Sequence, residues 1–182
     1  MSTSLRAIAI LGPESSGKTS LCAQLAEHLQ CAWVPEYARE YQPKQAGIYT
    51  EADLLTINRE QQKRHYAALE RAQALGDAYV IVDTEAIVLA VWAQLSLGYV
   101  PAEIEHACET QVFSDYLLLA PDLPWQSDPL RGAPELAQRQ AIFVHYEAWL
   151  NRYQHPYSII RGSGEQRLAC ALQALGLPLL QP

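Results

Sequence analysis

The chain has 182 residues, 49% of them apolar and 18% charged, with a formal net charge of −7; this length suits one domain with a substantial core, and we predict a single domain over residues 1–182. The acidic balance excludes a global basic field that would attract nucleic acid, so we expect no nucleic-acid partner. No basic-then-apolar leader opens the sequence and no apolar run approaches about eighteen residues, so we expect a cytoplasmic protein without a membrane partner.

The first predicted strand, Ala7–Leu11, runs directly into the sequence GPESSGKT at residues 12–19. From Lys18 onward, apolar residues recur at helical spacing, at Leu21, Cys22, Leu25 and Leu29. Strand, loop and helix in this order are the context that the motif G-x-x-x-x-G-K-[ST] requires. The sequence therefore predicts a phosphate loop, in which glycines let several N–H groups point inward at the positive end of a helix.

This loop predicts binding of a nucleoside triphosphate. Lys18 adds a full positive charge for the phosphates, and the Thr19 hydroxyl is suited to Mg²⁺. We therefore expect ATP and Mg²⁺ as cofactors, although the loop contacts only phosphates and leaves adenine and guanine donors open. The predicted nucleotide-binding residues are Gly12, Glu14, Ser15, Ser16, Gly17, Lys18, Thr19 and Ser20.

A second short strand is predicted over residues 31–36, because Pro35 forces Val34 into an extended conformation. It ends in Glu36, which is a candidate to receive the proton of an acceptor hydroxyl. The alternative for Glu36 is a salt bridge with the neighbouring Arg39.

A long helix is predicted to begin after Thr50 and to end at Gly76. Eight polar residues follow one another in its middle, at 58–65. They admit two interpretations: a helix surface that bulges into solvent, which we favour, or one side that lines a cleft.

The third predicted strand, residues 78–84, ends in Asp83, where a Walker B carboxylate belongs. Asp83 is expected to hold Mg²⁺ or to contact the substrate, and it rivals Glu36 as the base. The alternative is that it caps the next helix, residues 85–98, which is apolar nearly all round and should be deeply packed. A shorter helix follows Pro101.

A fourth strand, Tyr116–Ala120, opens into a segment punctuated by prolines, residues 121–134. We predict that this segment is a lid over bound nucleotide, which would exclude water and bring Arg131 or Arg139 to the transferring phosphoryl group. The alternative is a structural surface loop anchored by Trp125. An amphipathic helix (135–153), a last strand (157–162) and a last helix (165–176) complete the chain.

Five apolar strands separated by helices, without hairpin signals, predict an α/β fold with a five-stranded parallel sheet and helices on both faces. Ligands bind such sheets at the carboxyl ends of the strands, where all the polar segments named above begin. The four cysteines and five histidines show no metal-ligand spacing, so we expect reduced thiols and no protein-ligated transition metal.

The segments GPESSGKT, VPEYAREY, VDTEAIV and APDLPWQSDPLR occur in the order found in the ribosylnicotinamide kinase domain of NadR-type proteins. Over residues 7–165 the chain resembles that domain. The resemblance implies a P-loop NTPase of the nucleoside-kinase type that phosphorylates the 5′-hydroxyl of nicotinamide riboside with ATP and Mg²⁺, giving the mononucleotide for NAD salvage. It leaves the accepted nucleobase and the oligomeric state open.

The resemblance also implies roles for single residues. The catalytic residues would be Lys18, Glu36, Asp83 and Arg131. The metal ligands would be Thr19 and Asp83. The residues that contact the nucleoside or close over it would be Glu36, Tyr37, Arg39, Asp83, Thr84, Trp125 and Asp128.

One position in the lid departs from the family. The family reads Asp-Gly-Leu-Arg where this chain has Asp128-Pro129-Leu130-Arg131, and proline fixes φ and removes an N–H. NadR-type proteins carry further domains upstream, which we do not expect here because the phosphate loop lies so near the start of the sequence. A second hypothesis for the same loop is an ATP-binding or ATP-hydrolysing regulatory module that acts on a protein partner.

Overall fold

The computed structural model describes residues 5–41, 49–111, 113–127 and 132–179. The strands in these ranges are β1 (Arg6–Leu11), β2 (Ala32–Val34), β3 (Tyr79–Asp83), β4 (Asp115–Leu119) and β5 (Tyr157–Ile160). The helices are α1 (Lys18–Leu29), α2 (Glu51–Leu75), α3 (Ala86–Leu97), α4 (Ala102–Thr110), α5 (Leu136–Arg152) and α6 (Gly164–Ala174). A short 3-10 turn, Tyr37–Arg39, follows β2.

The strands form one parallel sheet in the order β2-β3-β1-β4-β5. β1 is central, with β3 on one side and β4 on the other. The loop that leaves β1 therefore lies between the ends of β3 and β4, at the edge where parallel sheets bind ligands. The predicted α/β architecture is confirmed.

Alternation along the strands produces two cores, because successive side chains point to opposite faces. From β1, Ala9 and Leu11 pack with residues of α2, α3, α4 and α5. Ile8 and Ile10 pack on the opposite face with residues of α1 and α6. The sheet is thus covered on both sides, which explains why its strands read as continuous apolar runs.

The long helix α2 has the ends that its sequence predicts. The Thr50 hydroxyl accepts a hydrogen bond from the Asp53 amide, and the Asp53 carboxylate accepts one from the Thr50 amide. Gly76 (φ +75°) ends the helix in the left-handed conformation. These caps satisfy amide and carbonyl groups that a helix terminus leaves unpaired.

The polar run at 58–65 agrees only in part with the solvent-exposed interpretation that we favoured. Asn58, Gln61 and His65 are buried, because they share one face of α2 and that face packs onto the protein. The other residues of the run are partly or fully exposed. None of the helices in the described ranges is both long enough and apolar enough to span a bilayer.

Candidate active site at the phosphate loop

The phosphate loop, residues 12–19, leaves β1 and closes on the first turn of α1. Gly12 has φ +146°, and a Cβ there would lie 2.7 Å from the carbonyl oxygen of Leu119 in β4. Only glycine permits so close an approach of loop and strand. Gly17 (φ +83°) precedes α1 and directs the loop onto the positive end of that helix. The loop thus has the curled backbone and the helix terminus that an anion site needs.

The Lys18 side chain folds back on the loop that carries it. Its Nζ donates to the carbonyl oxygens of Gly12 at 2.9 Å and of Pro13 at 3.2 Å. Neither contact joins Lys18 to the core, so the ammonium group can exchange these carbonyls for a bound phosphate without disturbing the sheet.

Thr19 and Asp83 face each other across the loop. The Thr19 hydroxyl donates to Asp83 Oδ2 at 2.7 Å. Asp83 is fully buried, and its Oδ1 has no partner in the part of the chain that the structure describes. Burial raises the pKa of the Asp83 carboxyl, and the charge of Lys18 opposes that rise. A hydroxyl beside a carboxylate with one unused oxygen is a donor set that fits Mg²⁺, which prefers oxygen ligands.

The cap of α3 is Glu85, so the alternative role of Asp83 as that cap was wrong. Glu85 Oε2 accepts from the Ile87 amide at 2.9 Å. Burial raises the pKa of the Glu85 carboxyl to about 8. Between the two acids, Thr84 is buried with φ +73°, a rare conformation for a β-branched residue. This sharp turn separates the carboxylate that meets Thr19 from the carboxylate that caps the helix.

Glu36 lies just after β2 and precedes the 3-10 turn. Its carboxylate forms an ion pair with Arg39 Nε at 3.2 Å, and both residues line the cavity described below. The salt bridge that was the alternative for Glu36 is therefore present, and it joins two residues of the cavity lining.

Gln61 of α2 connects the Glu36 turn to the end of β3. Its Oε1 accepts from the Tyr37 amide at 2.8 Å, and its Nε2 lies 3.3 Å from the Asp83 carbonyl oxygen and 3.4 Å from that of Pro35. The buried side of the polar run thus positions the two carboxylates that the sequence singles out.

One cavity of about 320 Å³ opens beside the loop. One end is polar and contains the phosphate loop with Glu36 and Arg39. The other end is largely apolar and lies between α3 and α5. Its apolar lining residues are Val88, Val91, Trp92, Leu95, Ile142 and Tyr146.

The described parts of the 121–134 segment are attached to the phosphate loop. The Glu14 carboxylate accepts from the amides of Gly132 (2.9 Å) and Ala133 (3.0 Å), and the Ser15 hydroxyl accepts from the Gln126 amide (3.1 Å). Arg139 of α5 is buried and donates to the Leu123 carbonyl oxygen at 2.9 Å. Arg139 therefore holds the segment in place.

The structure brings together most of the predicted site residues. The predicted residues that line the cavity are Gly12, Glu14, Ser15, Ser16, Gly17, Lys18, Thr19, Ser20, Glu36 and Arg39. Asp83 meets this set through Thr19. Among the described residues, Tyr37, Thr84 and Trp125 are not part of the lining, and their roles stay predictions. Asp128 and Arg131 lie outside the described residues.

The apolar end of the cavity was missed from the sequence. Ile142 and Tyr146 belong to the apolar stripe of α5, which reads as a core face, and Trp92 belongs to a helix that reads as deeply packed. The available signal was the presence of aromatic residues, one in α3 and several in α5, in two helices that flank the polar segments. Placing those residues on a cavity required knowing how α3 and α5 meet.

A family model described as AAA domain matches residues 7–167. The Trifunctional NAD biosynthesis/regulator protein NadR of Salmonella typhimurium is 24% identical to this chain over 144 residues, which are 76% of this chain and 34% of that protein. The chain therefore spans about a third of the length of this curated relative.

Solved structures give matches over nearly the whole chain. The crystal structure of NadR protein in complex with NR has a TM-score of 0.73 at 17% identity and covers 98% of this chain and 52% of that one. Thymidylate kinase from Ehrlichia chaffeensis has a TM-score of 0.65 at 14% identity, and the match covers 94% of this chain and 97% of that one. Deoxyadenosine kinase from M. mycoides with bound dATP has a TM-score of 0.58 at 15% identity, and the match covers 93% of this chain and 99% of that one. The chain thus has a P-loop fold of the nucleoside-kinase type, and its predicted resemblance to NadR is confirmed.

Proposed function

The chain belongs to the AAA domain family. Within this family, we propose that it transfers the γ-phosphoryl group of ATP to the 5′-hydroxyl of a nucleoside. The acceptor that we propose is nicotinamide riboside, and the product is nicotinamide mononucleotide. The observation that carries the proposal is a cavity in which the phosphate loop and Glu36 lie at a polar end and continue into an apolar wall. A nucleoside has a matching shape, because its ribose carries polar hydroxyl groups and the flat faces of its base can stack on aromatic side chains.

The donor phosphates are proposed to bind the amides of the phosphate loop. Lys18 leaves the carbonyl oxygens of Gly12 and Pro13 and pairs with the phosphates, where it stabilises the charge that develops during transfer. Phosphoryl transfer asks for alignment and for such charge stabilisation more than for covalent chemistry by the protein.

Thr19 and Asp83 are the residues that would hold Mg²⁺, which when bound neutralises charge between the β- and γ-phosphates. The unpartnered Oδ1 of Asp83 supports this role. The pairing of Thr19 with Asp83 keeps both oxygens at the start of α1, beside the loop.

Glu36 is the proposed acceptor of the proton from the nucleoside hydroxyl, with Asp83 as the alternative base. Arg39 holds the Glu36 carboxylate at the cavity, and Gln61 fixes the turn on which both lie.

A lid at 121–134 is also proposed. In it, Arg131 reaches the transferring group, and Asp128 and Trp125 close over the nucleoside. The hydrogen bonds from this segment to Glu14 and Ser15 place its described part against the phosphate loop and support the proposal.

The base is proposed to lie against the apolar wall, with Trp92 and Tyr146 as the aromatic surfaces. The matched complex of NadR with NR supports nicotinamide riboside as the acceptor, and the matched complex of NadR with NAD and AMP-PNP supports an adenine nucleotide as the donor. We further propose that residues 1–182 act as one catalytic domain on a small-molecule substrate in the cytoplasm.

A nucleoside panel tests the proposal. The purified chain is incubated with ATP and Mg²⁺ and with each nucleoside separately, and the products are read by mass. We expect the mass of one added phosphate on nicotinamide riboside. If no nucleoside gains a phosphate while ATP still binds, the kinase assignment is wrong and the regulatory module becomes the better hypothesis.

A further inference from the structure

Arg167 of α6 is a buried cation beside the phosphate loop that the proposed chemistry does not use. Its side chain is only 4% exposed. The guanidinium Nη1 donates to the Ser16 carbonyl oxygen at 2.7 Å, and Nε donates to the Gly162 carbonyl oxygen at 2.7 Å. Nη2 forms an ion pair with Asp122. One guanidinium therefore joins the phosphate loop, the turn after β5 and the start of the 121–134 segment.

The contact with Ser16 fixes the direction of an amide in the loop. A peptide group is planar and trans, so the Ser16 carbonyl and the Gly17 N–H point in opposite directions. Because Arg167 binds the carbonyl, the Gly17 N–H points away from Arg167. Gly17 lines the cavity, and a Cβ on Gly17 would lie 4.0 Å from Arg167 Cδ. Arg167 thus packs directly behind the peptide that it orients.

Asp122 keeps the guanidinium in place. Its Oδ2 accepts from the Gly162 amide at 2.9 Å while its other oxygen pairs with Arg167. The same ion pair therefore binds both the amide nitrogen and the carbonyl oxygen of Gly162. A planar fork with several donors is suited to this triple contact, and the ammonium group of a lysine is not.

We infer that Arg167 is a positioning residue for the donor nucleotide: it holds the Ser16–Gly17 peptide so that the loop presents its amide to the phosphates. This inference rests on the proposed binding of a nucleoside triphosphate by the loop. It goes beyond that proposal by assigning the geometry of the loop to a residue that lies 151 positions away from Ser16 in the sequence.

The test compares Arg167→Lys with Arg6→Lys in the full chain. Arg6 is a matched control, because its guanidinium also binds a carboxylate, Asp115, and a carbonyl oxygen, that of Leu175. It lies at the start of β1, at the opposite end of the strand from the loop. Binding of a non-hydrolysable ATP analogue with Mg²⁺ is measured by calorimetry, and thermal unfolding is measured beside it.

We expect Arg167→Lys to weaken analogue binding about tenfold or more, the size of a lost charge-assisted hydrogen bond. The affinity of Arg6→Lys for the analogue should stay within about twofold of that of the original chain. This should hold even if the melting temperature of Arg6→Lys falls as much as that of Arg167→Lys. The KM for the nucleoside should not change in Arg167→Lys, because the amide acts on the donor alone.

Three outcomes overturn the inference: analogue affinity that is unchanged in Arg167→Lys, an equal loss in Arg6→Lys, or a loss that appears in the nucleoside KM instead. If Arg167→Lys does not fold, Asp122→Asn decides, since it removes the charge that holds the guanidinium and should weaken analogue binding severalfold. Unchanged affinity in Asp122→Asn overturns the inference too. Failure of the original chain to bind the analogue would instead refute the proposed function itself.

Discussion

The Thr19 hydroxyl and the Asp83 carboxylate are joined by a hydrogen bond of 2.7 Å, which links the start of α1 to the end of β3. Asp83 is fully buried, yet its second oxygen has no partner within the described ranges. A buried carboxylate oxygen without a partner costs free energy in the folded state. A ligand that binds this oxygen would remove the cost. Mg²⁺ with a nucleotide is the ligand that the phosphate loop suggests.

The roles of Asp83 and Glu36 can be separated by removing one charge at a time. Asp83→Asn should lower kcat and raise the Mg²⁺ concentration needed for half-maximal rate by about tenfold or more, because the amide is a weaker ligand. Glu36→Gln should lower kcat about 10²-fold or more with an unchanged Mg²⁺ requirement, as expected for loss of a base. The measurement is the initial rate against Mg²⁺ at saturating ATP. If the Mg²⁺ requirement shifts in Glu36→Gln and not in Asp83→Asn, Glu36 is the metal ligand and Asp83 is the base.

Lys18→Ala should abolish phosphoryl transfer and leave the fold intact. Loss of the ammonium group removes stabilisation of the transferring phosphoryl, and we expect kcat to fall about 10²-fold or more. Stability should change little, since the hydrogen bonds of Lys18 within the described residues are to two loop carbonyls. Lys63→Ala is the control, because the Lys63 side chain is 76% exposed and forms a surface ion pair with Glu60. A Lys18→Ala variant that turns over near the original rate contradicts the assigned role.

Gly12→Ala should destabilise the fold much more than Gly98→Ala. Both glycines have positive φ, +146° and +81°. A Cβ at Gly12 would meet the Leu119 carbonyl oxygen at 2.7 Å, while a Cβ at Gly98 would meet no atom of the described residues within 4 Å. We expect Gly98→Ala to lower the free energy of unfolding by about 1 kcal/mol from backbone strain alone. Gly12→Ala should lose about 2–4 kcal/mol, because β4 must also move. Urea unfolding of both variants gives the comparison, and equal losses would show that the strand contact is unimportant.

His65 should make the protein less stable in mild acid. Burial lowers the pKa of this histidine from 6.5 to about 4, so the unfolded chain takes up the proton first as the pH falls. The stabilisation is complete above pH 6.5 and is lost as the pH falls toward 4, by an amount of about 2–3 kcal/mol.

His65→Gln should weaken this acid sensitivity, measured as the difference in the free energy of unfolding between pH 7 and pH 4.5. The variant loses the stacking of His65 on Phe113 (4.7 Å), so it should also be less stable at pH 7. The control His145→Gln changes an exposed side chain and should keep the original pH dependence. An unchanged pH dependence in His65→Gln would mean that other groups cause the acid sensitivity.

The parts of the fold that have local signals could be predicted from the sequence. The motif GPESSGKT between an apolar strand and an amphipathic helix fixed the loop, and Thr50 and Gly76 fixed the ends of α2 because capping depends on a few neighbouring residues. Asp83 was placed correctly because the strand before it is buried on both faces.

Other features depend on contacts between distant segments. Nothing near Arg167 in the sequence indicates that it reaches Ser16, and the stripe of α5 that contains Tyr146 is the same whether it faces a core or a cavity. For the polar run a signal for the three buried residues was present and was not used: Asn58, Gln61 and His65 recur at the spacing of one helix face. A polar helix face that is buried has to be satisfied by specific partners, as Gln61 is by the Tyr37 amide.

The proposed kinase activity is tested most directly by the stoichiometry of the reaction with nicotinamide riboside as acceptor. ATP, Mg²⁺ and the nucleoside are mixed with the purified chain, and ADP and the phosphorylated nucleoside are quantified together, with Lys18→Ala as the blank. We predict one phosphorylated nucleoside for each ADP formed and no product in the blank. ADP that accumulates without phosphorylated nucleoside would contradict it and would indicate an ATPase instead of a kinase.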